Sequence, residues 1–442
     1  MRLRARTGTF SCSASFVRGY SNGKKPMPYP LTPVVLLVAA LHAANARADE
    51  PGPSMFSLSG FGTLGLVHSS EDKADFTSTP FKPNGAGYSR TWSGDVDSLI
   101  GVQVGANLTQ QLSAVMQVIS EQNYDNSYRP QVKWANVKYQ ITPDFSIRLG
   151  RTALPIFMVS ESRKIGYANP WVRPPVEVYS LVPVTGNNGV DASYRLHLGA
   201  ATDTFQVTAG RANARFPSSP AFGALSVQSR DQLAFANTLE QGFTTLRVNY
   251  GQARVTVPEL RPLFAALRQF GPQGAALADK YSVERRLVSF VGIGASYDPG
   301  PWFIMGEWGH VDTRSVLGER TGAYATAGYR FGGFTPYLTY ARTRVGGNIS
   351  SPGLDTSALP PALAGPATGL NAALNAILGA QPVQNTLSVG GRWDVIRNTS
   401  LSLQLDHSRI GAGSPGPLTN TQPGFKPGGK LTVFSAALDF VF

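Results

Sequence analysis

The sequence predicts an all-β fold: a transmembrane, antiparallel up-and-down β-barrel of sixteen strands, with short turns at one end and long loops at the other. Three observations lead there. An export leader opens the chain, a two-residue alternation of apolar and polar side chains recurs down its length, and the connections between the alternating segments are short and long in turn.

Residues 1–48 contain seven Lys or Arg and no Asp or Glu. Arg2, Arg4, Arg6, Arg18, Lys24 and Lys25 precede an apolar run over 31–41, and Ala46-Arg47-Ala48 then offers a small-x-small cleavage site before Asp49. The run is too short to span a bilayer as a helix, so 1–48 reads as a signal peptide and 49–442 as a single barrel domain. Ala44-Asn45-Ala46 is a second cleavage site, and Met27 an alternative start that would leave 1–26 outside the protein.

Removing the leader changes the chemistry of what remains. The formal charge of +12 falls to +5, with 32 basic and 27 acidic residues, and a nucleic-acid partner loses its main support. Cys12, the one cysteine, leaves too, so neither a disulfide framework nor a thiolate metal site is expected, and no cofactor is. The 47 glycines and 16 tyrosines suit a chain of many strands and turns.

Candidate strands cover 56–68, 96–108, 112–121, 131–141, 145–151, 189–198, 204–211 and 230–240, then 243–255, 285–297, 302–312, 322–331, 334–345, 385–394, 399–409 and 430–442. In 96–108 the even positions are apolar apart from Ser98, while Asp97, Gln103 and Asn107 fall on the odd register, with Leu99 the exception. Leu401, Leu403 and Leu405 oppose Ser402, Gln404 and Asp406 in the same way. The segments 112–121 and 285–297 carry apolar residues on both registers, which leaves their facing open. Trp302, Tyr329, Phe331, Phe334 and Trp393 lie near strand ends, where interfacial aromatic girdles form.

Seven connections are short and made of turn formers, such as Thr142-Pro143-Asp144 and Gly332-Gly333, and the eight between them are longer. In hydrocarbon each unpaired backbone group costs several kcal/mol, so a spanning sheet must close on itself and pair its first strand with its last. The last, K-L-T-V-F-S-A-A-L-D-F-V-F, places Phe442, Phe440, Leu438, Ala436 and Phe434 on one face.

The leader, the sixteen-strand hairpin rhythm and the terminal Phe442 with apolar residues at every second position before it resemble a Gram-negative outer-membrane porin of the general-diffusion, trimer-forming type. The opening Phe56-Ser57-Leu58-Ser59-Gly60-Phe61-Gly62 is similar to that family's first strand, and Leu149-Gly150-Arg151-Thr152 resembles its entrance to the third loop. The resemblance implies a water-filled channel in the outer membrane for small hydrophilic solutes, bathed in outer-membrane lipid and associated as a homotrimer. It also implies that the C-terminal strand ending at Phe442 is read by the barrel-assembly machinery, and that a long third loop folds inward.

The third connection, 152–188, is the candidate constriction loop. It carries Glu161, Arg163, Lys164, Trp171, Arg173 and Glu177 and is stiffened by five prolines, and long ordered loops commonly carry function. Its net basic character departs from the acidic inserts of many general porins. Taking the apolar register as lipid-facing leaves Lys138, Arg148, Asp191, Arg195, Arg247, Glu307, Arg330, Arg392 and Asp406 pointing into the lumen, since a charge at the lipid midplane costs roughly 2–4 kcal/mol. Six of these nine are basic, from which a mild anion preference is expected. Helical stretches in 259–280 and 365–379 leave capping the mouth, plugging it or contacting a neighbour as alternatives, with packing on the rim the expectation.

Other functions find little support. Gly60-Phe61-Gly62-Thr63-Leu64-Gly65 matches a dinucleotide fingerprint but lies within a strand with no helix after it. His68, His197, His310 and His407 form no metal or triad motif, and His407 and Ser408 point to opposite faces. An outer-membrane β-barrel enzyme would need rim residues from separate loops to converge. The seven residues from Asp49 to Met55 are too few for an N-terminal plug. Within the channel class, the alternative is a substrate-selective porin whose lumen binds a small anion or organic acid.

Overall fold

A computed structural model describes residues 54–442 apart from 220–222, 348 and 358; the predicted signal peptide lies outside the described residues. Sixteen antiparallel strands close into one barrel: β1 (Phe56–Ser69), β2 (Leu99–Asn107), β3 (Leu112–Glu121), β4 (Gln131–Gln140), β5 (Phe145–Ala153), β6 (Gly186–Leu198), β7 (Ala201–Ser219), β8 (Gly223–Gln241), β9 (Thr244–Thr256), β10 (Arg286–Tyr297), β11 (Trp302–Asp312), β12 (Glu319–Tyr329), β13 (Phe334–Gly346), β14 (Gln384–Ile396), β15 (Thr399–Ile410) and β16 (Gly429–Val441). Each pairs with its sequence neighbours, and β1 pairs with β16 from Phe61↔Val441 to Ser69↔Val433, so no edge is left. No described helix is long and apolar enough to cross a membrane; the strands do so.

The pleat sorts the side chains. Leu64, Leu66, Val104, Leu149, Val248, Ile293, Val389, Leu403 and Leu405 are exposed on the outside, while Thr326, Thr339, Ser402, Gln404 and Asp439 are buried on the inside. The register open at the sequence level resolves in β10, where Val291 and Ile293 face out and Phe290 faces in. At the turn end, Trp302 stands opposite Tyr329 and Phe334 opposite Trp393, all exposed, as an outward aromatic girdle requires. At the loop end the apolar band stops at a row of outward basic residues, Arg151, Arg211, Arg230 and Arg254.

The closing seam explains the glycines of the false fingerprint. Gly62 pairs with Phe440, and a Cβ on Gly62 would lie inside the Phe440 ring; Gly60 stands in the same relation to Phe442. The terminal aromatics therefore cover the outer surface of β1 where it has no side chains of its own.

Two expectations need correction. The fourth connection, expected to span 212–229, is mostly ladder: pairing continues from Ala212↔Ser229 to Ser219↔Gly223, because bulges at Gly210/Ala212 and Arg230/Leu233 let the hairpin bend and continue beyond the barrel wall. The third connection is shorter than 152–188, since Thr152↔Asn187 and Ala153↔Gly186 still pair and the loop proper runs over 154–185. It contains a 3-10 turn over Gly166–Ala168 and one short α-helix, α1 (Val176–Tyr179). The helical expectations are met by α2 (Arg261–Arg268), α3 (Gly271–Tyr281) and α4 (Pro361–Gly379). Gly271, at φ +67°, makes the corner between α2 and α3. Phe264 and Leu267 of α2, Ala278 of α3, and Leu374 and Leu378 of α4 join Val255 and Val316 of the rim in one buried cluster.

Candidate pore constriction

The 154–185 loop folds into the barrel and is fastened to the inner wall by two kinds of contact. Phe157, Trp171, Val178, Tyr179 and Leu181 pack in one buried cluster with Phe290, Val311, Tyr324, Tyr337 and Ala341, which face inward from β10 to β13. Burying a side chain of this size contributes roughly 1.5–3 kcal/mol, so the loop is held by more than its hydrogen bonds. Polar anchors fix its register: Trp171 Nε1 donates to Thr326 Oγ1 at 2.9 Å, and Arg247 and Arg392 donate to the carbonyls of Pro155 and Tyr167 at 3.1 and 2.6 Å.

Arg173 is the centre of the polar half. Its guanidinium donates to both oxygens of Asp97, at 2.9 and 2.6 Å, to Asp406 at 3.1 Å and to Ser435 at 2.6 Å, and all three charged groups are buried. Glu177 accepts from Gln384 Nε2 at 2.7 Å and from Thr386 Oγ1, and burial pushes its carboxyl above the usual carboxylate range. Glu307 accepts from the Met158 N–H and the Tyr324 hydroxyl, both at 2.8 Å, and from the Tyr179 hydroxyl.

Arg173, Glu177, Glu307 and Asp406 thus lie in the seam between loop and wall instead of facing open lumen. The alternation that places a residue inside cannot show that a loop covers it. Arg330 is corrected too: it forms a bidentate pair with Asp298 at 2.6 and 2.8 Å, in the turn region at the short end of the barrel. Arg392, besides its carbonyl contacts, pairs with Asp394 at 2.8 Å.

The remaining predicted residues surround the loop's exposed edge. Strand register sets Lys138 beside Arg148 and Arg148 beside Asp191. Arg148 bridges Asp191 at 2.8 Å and Glu161 of the loop at 2.9 Å. Arg163 lies over the Tyr179 ring at 5.4 Å, and Arg195 is exposed further toward the turn end. Lys164 meets Glu121 of β3 at 2.5 Å, and Lys133 reaches the same carboxylate at 3.2 Å. The surrounding protein pushes Lys164 down to about 8, against the pull of Glu121. Sequence reasoning missed Glu121, Lys133 and Asp97: the first ends a strand with apolar residues on both registers, and the last precedes the observed start of β2.

A family model described as Gram-negative porin matches residues 34–414. The chain belongs to the Gram-negative porin family. Among solved structures it is similar to the anion-selective porin from Comamonas acidovorans, at 12% identity and TM-score 0.50, over 88% of this chain and 99% of that one. It is also similar to Salmonella typhi OmpF in complex with daunomycin, at 11% identity and TM-score 0.49, over 88% and 97% of the two chains. No curated protein matches it. The protein is an outer-membrane porin: a closed barrel that provides a channel for diffusion across the outer membrane. Loop and surrounding barrel pair in both senses: Lys164 and Arg173 of the loop meet Glu121, Asp97 and Asp406, and Glu161 of the loop meets Arg148.

Proposed function

We propose that this porin passes small hydrophilic solutes with a mild preference for anions, and that the passage is narrowest where residues 161–164 approach β3–β6. The observation that carries this reading is an imbalance of pairing. Around the loop edge that meets β3–β6, Glu121, Glu161 and Asp191 each have a basic partner, whereas Lys138, Arg163 and Arg195 make no ion pair among the described residues. Like charges left over beside a water path raise the local anion concentration, less so as salt screens them over ~8 Å.

The test is the reversal potential of the purified protein in a planar bilayer under a KCl gradient. A potential of the sign set by chloride is expected, and clear cation preference overturns the reading. The same recording addresses assembly. Association as a homotrimer, supported by the family's habit, predicts insertions in groups of three equal conductance steps. The apolar outer band favours outer-membrane lipid as the surroundings, and the alternation ending at Phe442 favours recognition by the assembly machinery.

A non-enzymatic role fits the scattered histidines. His197 contacts Asp144 beside a turn, His310 contacts Thr321 and His407 contacts Thr432, none of them a serine. Replacing His68, His197, His310 and His407 with alanine is expected to leave conductance unchanged.

A further inference from the structure

At the loop end of the barrel, a cavity of about 440 Å³ lies between the returning limb of the 154–185 loop and the inner wall of β8–β12. Its walls differ from the polar surface around the loop's exposed edge. Val227, Ala253, Val288 and Val311 face it from the strands, Leu181 from the loop, and Ile377 from α4 above. A volume of this size, lined by hydrocarbon with a few polar groups, is that of a small-molecule site.

Two charged residues line it, Glu177 and Arg320. Glu177 is directed to β14, where its carboxylate is taken by Gln384 and Thr386, and burial favours its neutral form. Arg320 is different. One Nη donates to the Leu181 carbonyl at 3.1 Å, Nε is buried with no acceptor, and the guanidinium makes no ion pair among the described residues. A cation held at an apolar wall without a carboxylate is a costly arrangement that an anion relieves.

We propose that this vestibule cavity binds monoanionic solutes with a compact apolar body, such as cyclic or branched aliphatic carboxylates, and that Arg320 is their anchor. The anion pairs with the Arg320 guanidinium, which no carboxylate of the described residues neutralises, and the apolar body is removed from water against the valine and alanine wall. The assignment rests on the channel reading and narrows its substrate class: solutes of this kind are concentrated at the mouth before they cross.

Ion-current recordings of the full-length porin test it, with cyclohexanecarboxylate, acetate and cyclohexylammonium as probes. Cyclohexanecarboxylate is expected to give transient, saturable blocks, while acetate lacks the body and cyclohexylammonium the charge. Arg320→Gln should raise the half-blocking concentration about tenfold or more. Equal block by acetate or by cyclohexylammonium, or an unchanged Arg320→Gln channel, overturns the assignment. If Arg320→Gln does not assemble, Ala253→Phe decides in its place: it fills the cavity and keeps the arginine, so blocks that persist overturn the assignment. Wild-type current without saturable block sinks this inference alone, whereas no current at all sinks the channel reading beneath it.

Discussion

Replacing Arg173 with methionine removes the cation from a buried cluster and strands two carboxylates. The Asp97 and Asp406 side chains are 4% and 10% exposed, and Arg173 supplies three of their hydrogen bonds. Breaking a buried pair from one side costs about 3–5 kcal/mol, much of it the penalty of the charge left behind. At about 1.4 kcal/mol per tenfold, that shifts the local balance between docked and undocked loop by two to three orders of magnitude. The effect stays local, because Trp171, Tyr179 and Phe157 still hold their apolar seats and the strand ladder is untouched. Arg173→Met is therefore expected to fold with a nearly unchanged thermal midpoint and to give a channel with strong millisecond flicker. Adding Asp97→Asn and Asp406→Asn removes the stranded charges and should quieten it again. Single-channel recording at fixed voltage is the assay. A single variant as quiet as wild type, or a triple variant as noisy as the single, refutes the view that this cluster holds the loop.

Lys138→Glu reverses an inner-wall charge; taken at one screening length, ~8 Å, from a passing ion, it is worth ~0.2 kcal/mol per unit charge, so the anion-to-cation permeability ratio should fall about fourfold by reversal potential. Lys164, titrating at about 8, is charged at pH 7 and neutral well above it; anion preference should fall between pH 7 and 9.5, and Lys164→Arg should flatten that change. Gly62→Val places a side chain where Phe440 lies, and overpacking there should cost about 1–3 kcal/mol, seen as less assembled barrel by gel mobility. Phe440→Ala in the same chain should restore part of the yield.

The barrel was legible in the sequence because its rules are local. Alternation and turn chemistry act over two to five residues, so fourteen or so consecutive residues such as those of β1 announce their own facing. The β7–β8 extension was not legible, because two bulges break the alternation that would have continued the strands. The site was legible as a set of inward charges and illegible as a geometry. Arg173 reaches Asp406 across 233 positions and Glu177 reaches Thr386 across 209, and no periodicity records such distances. The apolar residues of β10–β13 that face inward, Phe290 and Tyr337 among them, were the one available sign that a loop must cover that wall. In β10 they blurred the alternation and left the register open.

That inward hydrocarbon also decides where solutes travel. A lumen with apolar side chains on its water path would be a poor conduit for ions, yet this barrel carries Phe290, Tyr324, Tyr337 and Val311 on its inner face. The loop resolves the conflict by covering β10–β13 with its own apolar residues, and its other edge reaches β3 and β5 through the Lys164–Glu121 and Glu161–Arg148 pairs. Lys138, Arg148, Asp191, Glu121 and Lys133 stand on that opposite wall. On the proposed reading the half of the interior along β10–β13 seats the loop and solutes pass on the side of β3–β6. On that reading charge changes on β3–β6 are expected to act on selectivity, while changes on β10–β13 are expected to act first on whether the loop stays in place.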